Sequence, residues 1–349
     1  MSLPFESKNQ KEIIQMLEAE GTTFRSFECV SEGAYAPQDA AWNYMDIPHL
    51  QYVHKQVEGC LTLAGDAVTA SVFFQKIPFA RIPLTVLIYQ SAPNCITYYT
   101  SFFAFLLVIE TTWEALAPLH TRVTTRYAVG WTNPLVGFAF PLIRWLLKRN
   151  YAILMSEDLP MRTQRGRLRQ LGYDFKMEGE IPSFVDSRKV MRQNVVTPEQ
   201  QHVLLPSQSQ SWGSIRVALD SFQEDERRFV GPEDHTGLLL LRSKNQLLIY
   251  PRLCPHEGAS LDEAPAKSSS LRREDGAKAP CNLMCPWHGR LFRPILTLDL
   301  PAPPSLHQTD WHSYRVQDGF LCIESLPSTP SAPRNSDWSR PAEPVPALS

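Results

Sequence analysis

Two short boxes carry the densest reactive chemistry in the sequence: Cys254-Pro255-His256 and Cys285-Pro286-Trp287-His288-Gly289. Each supplies one thiolate and one imidazole from a Pro/Gly loop that can present both ligands from one side. Two thiolates and two imidazoles are enough to hold a metal centre. The C-x-H spacing is too tight for a zinc finger, whose ligands come as C-x2-4-C and H-x3-5-H. A second constellation lies upstream, where Trp42-Asn43-Tyr44-Met45-Asp46-Ile47-Pro48-His49 leads on to His54. An i,i+5 pair of histidines is displaced by about 140° around an ideal helix. His49 and His54 therefore converge on one ion only across a π-bulge or a broken turn.

The elements that must position these groups fall into two domains, the number expected of 349 residues at roughly 150 per domain. A 43% hydrophobic and 20% charged composition is that of an ordinary globular protein. A net charge of −2 argues against a dedicated nucleic-acid binder. Seven cysteines, an odd count in a long chain, argue against a disulfide scaffold. The polar start, Met1 to Glu12, lacks the pattern of a signal peptide. The longest apolar run, Phe102 to Ile109, is too short to span a bilayer. A cytoplasmic protein in a reducing compartment is expected, with no transmembrane segment. No Gly-rich phosphate loop occurs, so no nucleotide site is expected.

The first domain, residues 10–195, opens with a short amphipathic helix around Ile13 and Leu17, and a second helix is predicted over Gln38 to Val57. Strand composition follows at Thr69 to Ile77, Val86 to Gln90, Ile96 to Ile109 and Arg122 to Val129. Asn133 to Leu171 returns to helical spacing, with Pro134, Pro141 and Pro160 as starts or kinks. A sheet followed by one long helix implies a layer closed over an interior cavity. Residues 196–212, within the Gln/Ser/Pro-rich stretch Asn194 to Trp212, read as a linker. Residues 213–325 read as a small all-β domain, with strands at Leu238 to Leu241 and Leu247 to Tyr250, and residues 326–349 as a disordered tail.

With two cysteines for one iron and two histidines for the other, the paired boxes resemble a Rieske [2Fe–2S] centre, and the flanks CPHEGASL and CPWHGRLF agree. The resemblance implies Cys254, His256, Cys285 and His288 as cluster ligands; a metal-free pair and a structural zinc site are the competing readings. The gap of 28 residues between His256 and Cys285 is long for the family, and its polar part, Ala264 to Pro280, reads as a surface insertion. Cys281 has no role in the pattern. Ala259 and Trp287 stand where the Rieske proteins of respiratory and photosynthetic complexes carry a disulfide. The missing brace implies a potential near the low end of the Rieske range, about −150 mV.

The upstream D-x2-H-x4-H resembles the mononuclear iron motif of Rieske non-heme iron oxygenases, and Glu157-Asp158-Leu159-Pro160-Met161 with Gln164 resembles the segment that brings the third ligand. The resemblance implies an α+β architecture: a START-like helix-grip catalytic domain followed by a small all-β Rieske [2Fe–2S] domain. It implies Fe(II) held by His49, His54 and Asp158, with Glu157 the alternative carboxylate and open positions for O2 and substrate. Asp46 would bridge the two centres, since a carboxylate between two imidazoles can accept N–H bonds from both. An apolar small-molecule substrate, a separate reductase drawing on NAD(P)H, a ferredoxin and a homotrimer are further implications. The alternative is a START-like binding module fused to an electron-transfer domain, without catalytic iron. Here the Rieske boxes follow the catalytic motif, whereas in most of the family they precede it; a linker of about 19 residues still allows the centres to meet.

Two stretches carry plainer expectations. Arg162, Arg165, Arg167 and Arg169 read as a solvated helix face, with docking of an acidic electron donor as the functional alternative. The apolar helix Pro134 to Leu147, followed by Lys148 and Arg149, reads as a core helix, with a membrane surface as its alternative.

Overall fold

A computed structural model describes residues 10–64, 68–77, 80–171, 185–186, 195–196, 213–232, 237–254, 257–267, 281–309 and 312–325. The predicted linker lies outside these residues except at Val195–Val196, and the predicted tail lies outside them altogether. The chain divides into two compact units, one of residues 1–207 and 223–300, the other of residues 208–222 and 301–349.

The first unit opens with α1 (Gln10–Ala19), β1 (Thr23–Gly33) and α2 (Pro37–Met45). A 3-10 turn (Ile47–His49) and α3 (Leu50–Val53) lead into a meander of β2 (Val57–Ala64), β3 (Val68–Ile77), β4 (Ala80–Ala92), β5 (Cys95–Phe102), β6 (Phe105–Ala117) and β7 (His120–Trp131). Then come α4 (Pro134–Gly137), the 31-residue α5 (Phe140–Gln170) and the short strands β8 (Val185–Asp186) and β9 (Val195–Val196). The large sheet is ordered β1-β7-β6-β5-β4-β3-β2-β8, its strands antiparallel throughout. β7 returns to pair with β1 from Thr23↔Trp131 to Gly33↔Thr121.

Side chains alternate along β7, and its inward Tyr127, Val129 and Trp131 join Phe27 of β1 in packing against Phe140, Ile143, Tyr151 and Met155 of α5. Pro141 sits in the first turn of α5, where its missing N–H costs nothing. Pro160 is absorbed inside the helix. The predicted strand Ile96 to Ile109 is two strands, turning at Phe103 with φ 51°. Neither Gly nor Pro marks that turn, so composition hid it.

The helix expected over Gln38 to Val57 is broken. Asp46, with φ −79° and ψ 76°, ends α2, and its N–H donates to Trp42 O at 2.8 Å. Pro48 lacks the N–H that would carry the helix on. His54 then closes α3 in an extended conformation (φ −87°, ψ 108°). This is the broken turn that the histidine spacing demands.

The rest of the first unit holds β11 (Arg227–Val230), β12 (Leu238–Ser243), β13 (Gln246–Pro251) and β17 (Leu296–Asp299) in one sheet, and β14 (Ala266–Lys267), β15 (Asn282–Met284) and β16 (Leu291–Phe292) with β9 in another. Their core joins Leu239, Leu248, Tyr250, Leu283 and Phe292 to Trp42 of α2 and Met161 of α5. The insertion expected over Ala264 to Pro280 begins later than that: Ala264 is buried and β14 pairs with β15, while residues 268–280 lie outside the described residues. The second unit is an antiparallel sheet of β10 (Ser214–Ala218), β20 (Phe320–Ser325), β19 (His312–Gln317) and β18 (Ser305–Gln308), cored by Tyr314, Val316, Leu321 and Ile323. Among the described residues no helix is long and apolar enough to cross a membrane.

Candidate metal centres

The two Cys boxes form matching loops. Cys254 N–H donates to Ala259 O at 2.7 Å and Gly258 N–H to Cys254 O at 2.9 Å. Cys285 N–H donates to Arg290 O at 2.7 Å and Gly289 N–H to Cys285 O at 2.8 Å. Both glycines are left-handed, at φ 82° and 66°, which admits a tight return. Each loop thus holds its cysteine at the same place in an identical backbone frame. Both thiols are buried and neither is in a disulfide, and burial together with the neighbouring Cys254 thiol pushes Cys285 well above its ordinary pKa. Two buried soft donors facing each other, with His288 beside them, suit an iron–sulfur cluster. His256 lies outside the described residues.

The upstream residues converge as well. Ligand atoms of His49, His54 and Asp158 lie within 4.8 Å of one another, and all three residues are buried. Asp158 Oδ1 is 3.4 Å from His49 Nε2 and 3.3 Å from His54 Nε2. His49 Nε2 makes no hydrogen bond despite its burial, and a buried polar atom in that state is expected to have a partner. Burial works against a charged His49 ring, but the neighbouring Asp158 and Asp46 carboxylates outweigh it and push its pKa up to about 10. Two imidazoles and a carboxylate on one face suit a divalent iron.

Surrounding side chains hold these groups. Glu157, the alternative third ligand, instead receives His54 Nδ1–H on Oε2 at 2.8 Å, which leaves Nε2 toward Asp158. Asn43 Nδ2 donates to Asp158 Oδ1 at 3.3 Å. Arg162 donates Nε and Nη2 to Asn43 Oδ1 and lies 3.7 Å from Asp158 Oδ2. His49 Nδ1 meets the backbone carbonyl of Asp46.

Asp46 reaches the cluster loop. Its Oδ2 accepts from His288 Nε2 at 2.5 Å and lies 3.6 Å from His49 Nδ1. Burial alone would raise this carboxyl, but the two imidazoles hold it well below the usual carboxylate range. Three further contacts seat the loops on the helices. Trp42 and Trp287 rings lie 5.7 Å apart, a Cβ at Gly289 would collide with the Tyr52 ring, and Arg165 Nη1 donates to Glu257 Oε2 at 2.5 Å.

The arginine face expected to be solvated is mostly interior. Arg162 and Arg165 are fully buried, Arg165 and Arg169 both donate to Asp39, and only Arg167 is exposed. Their partners come from α2 and the cluster loop, far away in sequence. That burial also removes Arg162 and Arg165 as a docking face for an acidic donor. Asn43 and Tyr52 carry no motif and Glu257 only the flank of the first Cys box, and the sequence offers no signal for their roles.

Residues 216–310 match the model of the Rieske [2Fe–2S] domain. The chain therefore carries a Rieske domain, which implies a [2Fe–2S] cluster and an electron-transfer role. The fold is α+β, with a helix-grip part, an antiparallel sheet against one long helix, followed by a small all-β Rieske domain. No curated protein sequence matches the chain. Among solved structures, it is similar to the ZhuI aromatase/cyclase from Streptomyces sp. R1128 (TM-score 0.37, 13% identity, 41% of this chain, 96% of that one). A START superfamily protein from Mycobacterium smegmatis is similar too (TM-score 0.35, 16% identity, 40% of this chain, 98% of that one). Dicamba monooxygenase bound to 3,6-dichlorosalicylic acid covers 49% of this chain and 58% of its own, at TM-score 0.33 and 13% identity.

Proposed function

We propose that the chain is the terminal component of a Rieske non-heme iron oxygenase system. It would oxidise an apolar small molecule, aromatic ones included, with O2 by hydroxylation, dealkylation or a related reaction. Cys254, His256, Cys285 and His288 would hold the [2Fe–2S] cluster, and His49, His54 and Asp158 would hold Fe(II). When bound, these groups supply the one-electron transfer and O2 activation that side chains cannot. Electrons would come from NAD(P)H only indirectly, through a separate reductase and a ferredoxin. In domain terms, residues 10–195 would be the catalytic part and residues 213–325 the electron donor.

The chain's own work is orientation and exclusion of water. Glu157 fixes the His54 tautomer, and the Asp46 carbonyl fixes His49. Asn43 and Arg162 hold the Asp158 carboxylate from behind. Met45, Ile47, Thr69, Ile88, Gln90 and Ile96 line a small cavity, and Tyr44 stacks on Trp113 at 6.2 Å.

The observation that carries the reading is the Asp46–His288 hydrogen bond, which would link the proposed mononuclear site to a proposed cluster ligand. Both residues belong to one chain, so electron delivery is proposed to run within the chain. The homotrimer implied by the family is not needed for it. The reduced protein, exposed to 18O2 with a panel of apolar aromatic compounds, should yield a labelled product. His49→Ala should keep the red-brown cluster and form none. Product from His49→Ala at the wild-type rate would refute the iron site.

A further inference from the structure

The apolar helix expected to lie in the core is only half buried. Phe140 and Ile143 face the sheet, whereas Leu142, Trp145 and Leu146 on α5 stand exposed. These three and Arg149 share one helix face. Ahead of them Leu135 is 75% and Phe138 83% exposed, and Phe103 at the β5–β6 turn is 80% exposed. The helix start and the hairpin tip belong together. Phe102, whose ring meets Phe103 at 4.5 Å, packs into the cluster of Phe105, Trp131 and Phe140. Gly137 of α4 lies so close to Trp131 that a Cβ would come within 2.6 Å of the indole nitrogen.

Charge along this segment has one sign. From Trp131 to Ser156 the chain has no Asp or Glu, while Arg144, Lys148 and Arg149 stand among the apolar residues. The Arg149 guanidinium lies 5.6 Å from the Trp145 ring centroid, Arg144 and Lys148 each 5.9 Å from Phe27. Aromatic pegs with cations drawn back beside them suit the boundary between acyl chains and headgroups. A two-fold pairing of this face with a second copy would set the same cations against each other.

We propose that this face, formed by the β5–β6 turn, α4 and the first turns of α5, docks the protein on an anionic lipid bilayer. The pegs enter the acyl boundary and the cations meet the headgroups. At 1.5 Å per residue, Asp158 lies about 24 Å along α5 from Leu142, so the candidate iron site stays clear of the lipid. The docking does not depend on iron or on oxygenase activity.

Full-length protein should co-sediment with vesicles of phosphatidylcholine plus phosphatidylglycerol about tenfold or more better than with phosphatidylcholine alone, and salt should weaken the binding. The double variant Phe138→Glu, Leu142→Glu should lose this binding while its cluster absorption and thermal unfolding stay as in the wild type. Arg144→Glu with Arg149→Glu should lose the preference for the anionic vesicles. Absence of vesicle binding, or binding unchanged in the Glu variants, would overturn the proposal. So would a wild-type dimer that Phe138→Glu breaks without any vesicle binding.

Discussion

Oδ2 of Asp46 lies 2.5 Å from Nε2 of His288, although the two residues stand 242 positions apart in one chain. The contact sits where α2 breaks, and Pro48 helps to make that break. It places a carboxylate between an imidazole of the candidate iron site and one of the cluster loop. Trp42 on Trp287 and Tyr52 under Gly289 hold the same loop from either side.

Asp46→Asn keeps the shape of this link and removes its charge. Turnover should fall by about 10–100-fold, the usual effect of losing a carboxylate that orients a metal-ligating histidine. Iron content and cluster colour should stay unchanged. Rapid mixing of the reduced protein with O2, followed by product analysis, reads the rate.

Asn43 holds Asp158 and at the same time accepts from Arg162. Asn43→Ala should weaken iron retention by about 10–100-fold without loss of acid-labile sulfide. It should also cost about 1–3 kcal/mol of stability, because the buried guanidinium loses an acceptor. Iron assay after dialysis and urea unfolding measure the two effects separately.

Some of this site was legible before folding, and some could not be. The Cys boxes announce themselves because their ligands are close in sequence and their Pro/Gly loops are local. His49, His54 and Asp158 could be named only through a family resemblance, since their convergence depends on a chain break at Asp46 and on a helix about a hundred residues later. The arginines of α5 misled for a physical reason. Period and charge describe one helix, but the groups that bury Arg162 and Arg165 are Asn43, Asp39 and Glu257, on other segments. The α5 start misled in the opposite direction, because apolar spacing does not say whether a covering layer exists.

Arg165 is a buried cation that faces both Asp39 and Glu257. Arg165→Met should destabilise the first unit by about 3–5 kcal/mol, the cost of breaking a buried ion pair from one side. Adding Glu257→Leu should restore part of that loss. A double-mutant cycle from urea unfolding would show the coupling as a departure from additivity.

His312 gives the second unit a pH dependence. Burial lowers its pKa to about 4, against about 6.5 in an unfolded chain. Between those values the unfolded state takes up a proton that the folded state refuses. Its contribution to stability is therefore full above about pH 6.5 and declines as pH falls toward 4, by at most about 1.4 kcal/mol per pH unit. His312→Gln should flatten this acid limb in unfolding measured across that range.

The central claim is that one chain holds a second, mononuclear iron site beside its Rieske cluster. Iron and acid-labile sulfide counted per chain test it most directly. Wild-type protein should contain about three irons and two sulfides, and His49→Ala about two irons and two sulfides with an unchanged visible spectrum. Two irons in the wild type, or an equal iron count in His49→Ala, would contradict the account.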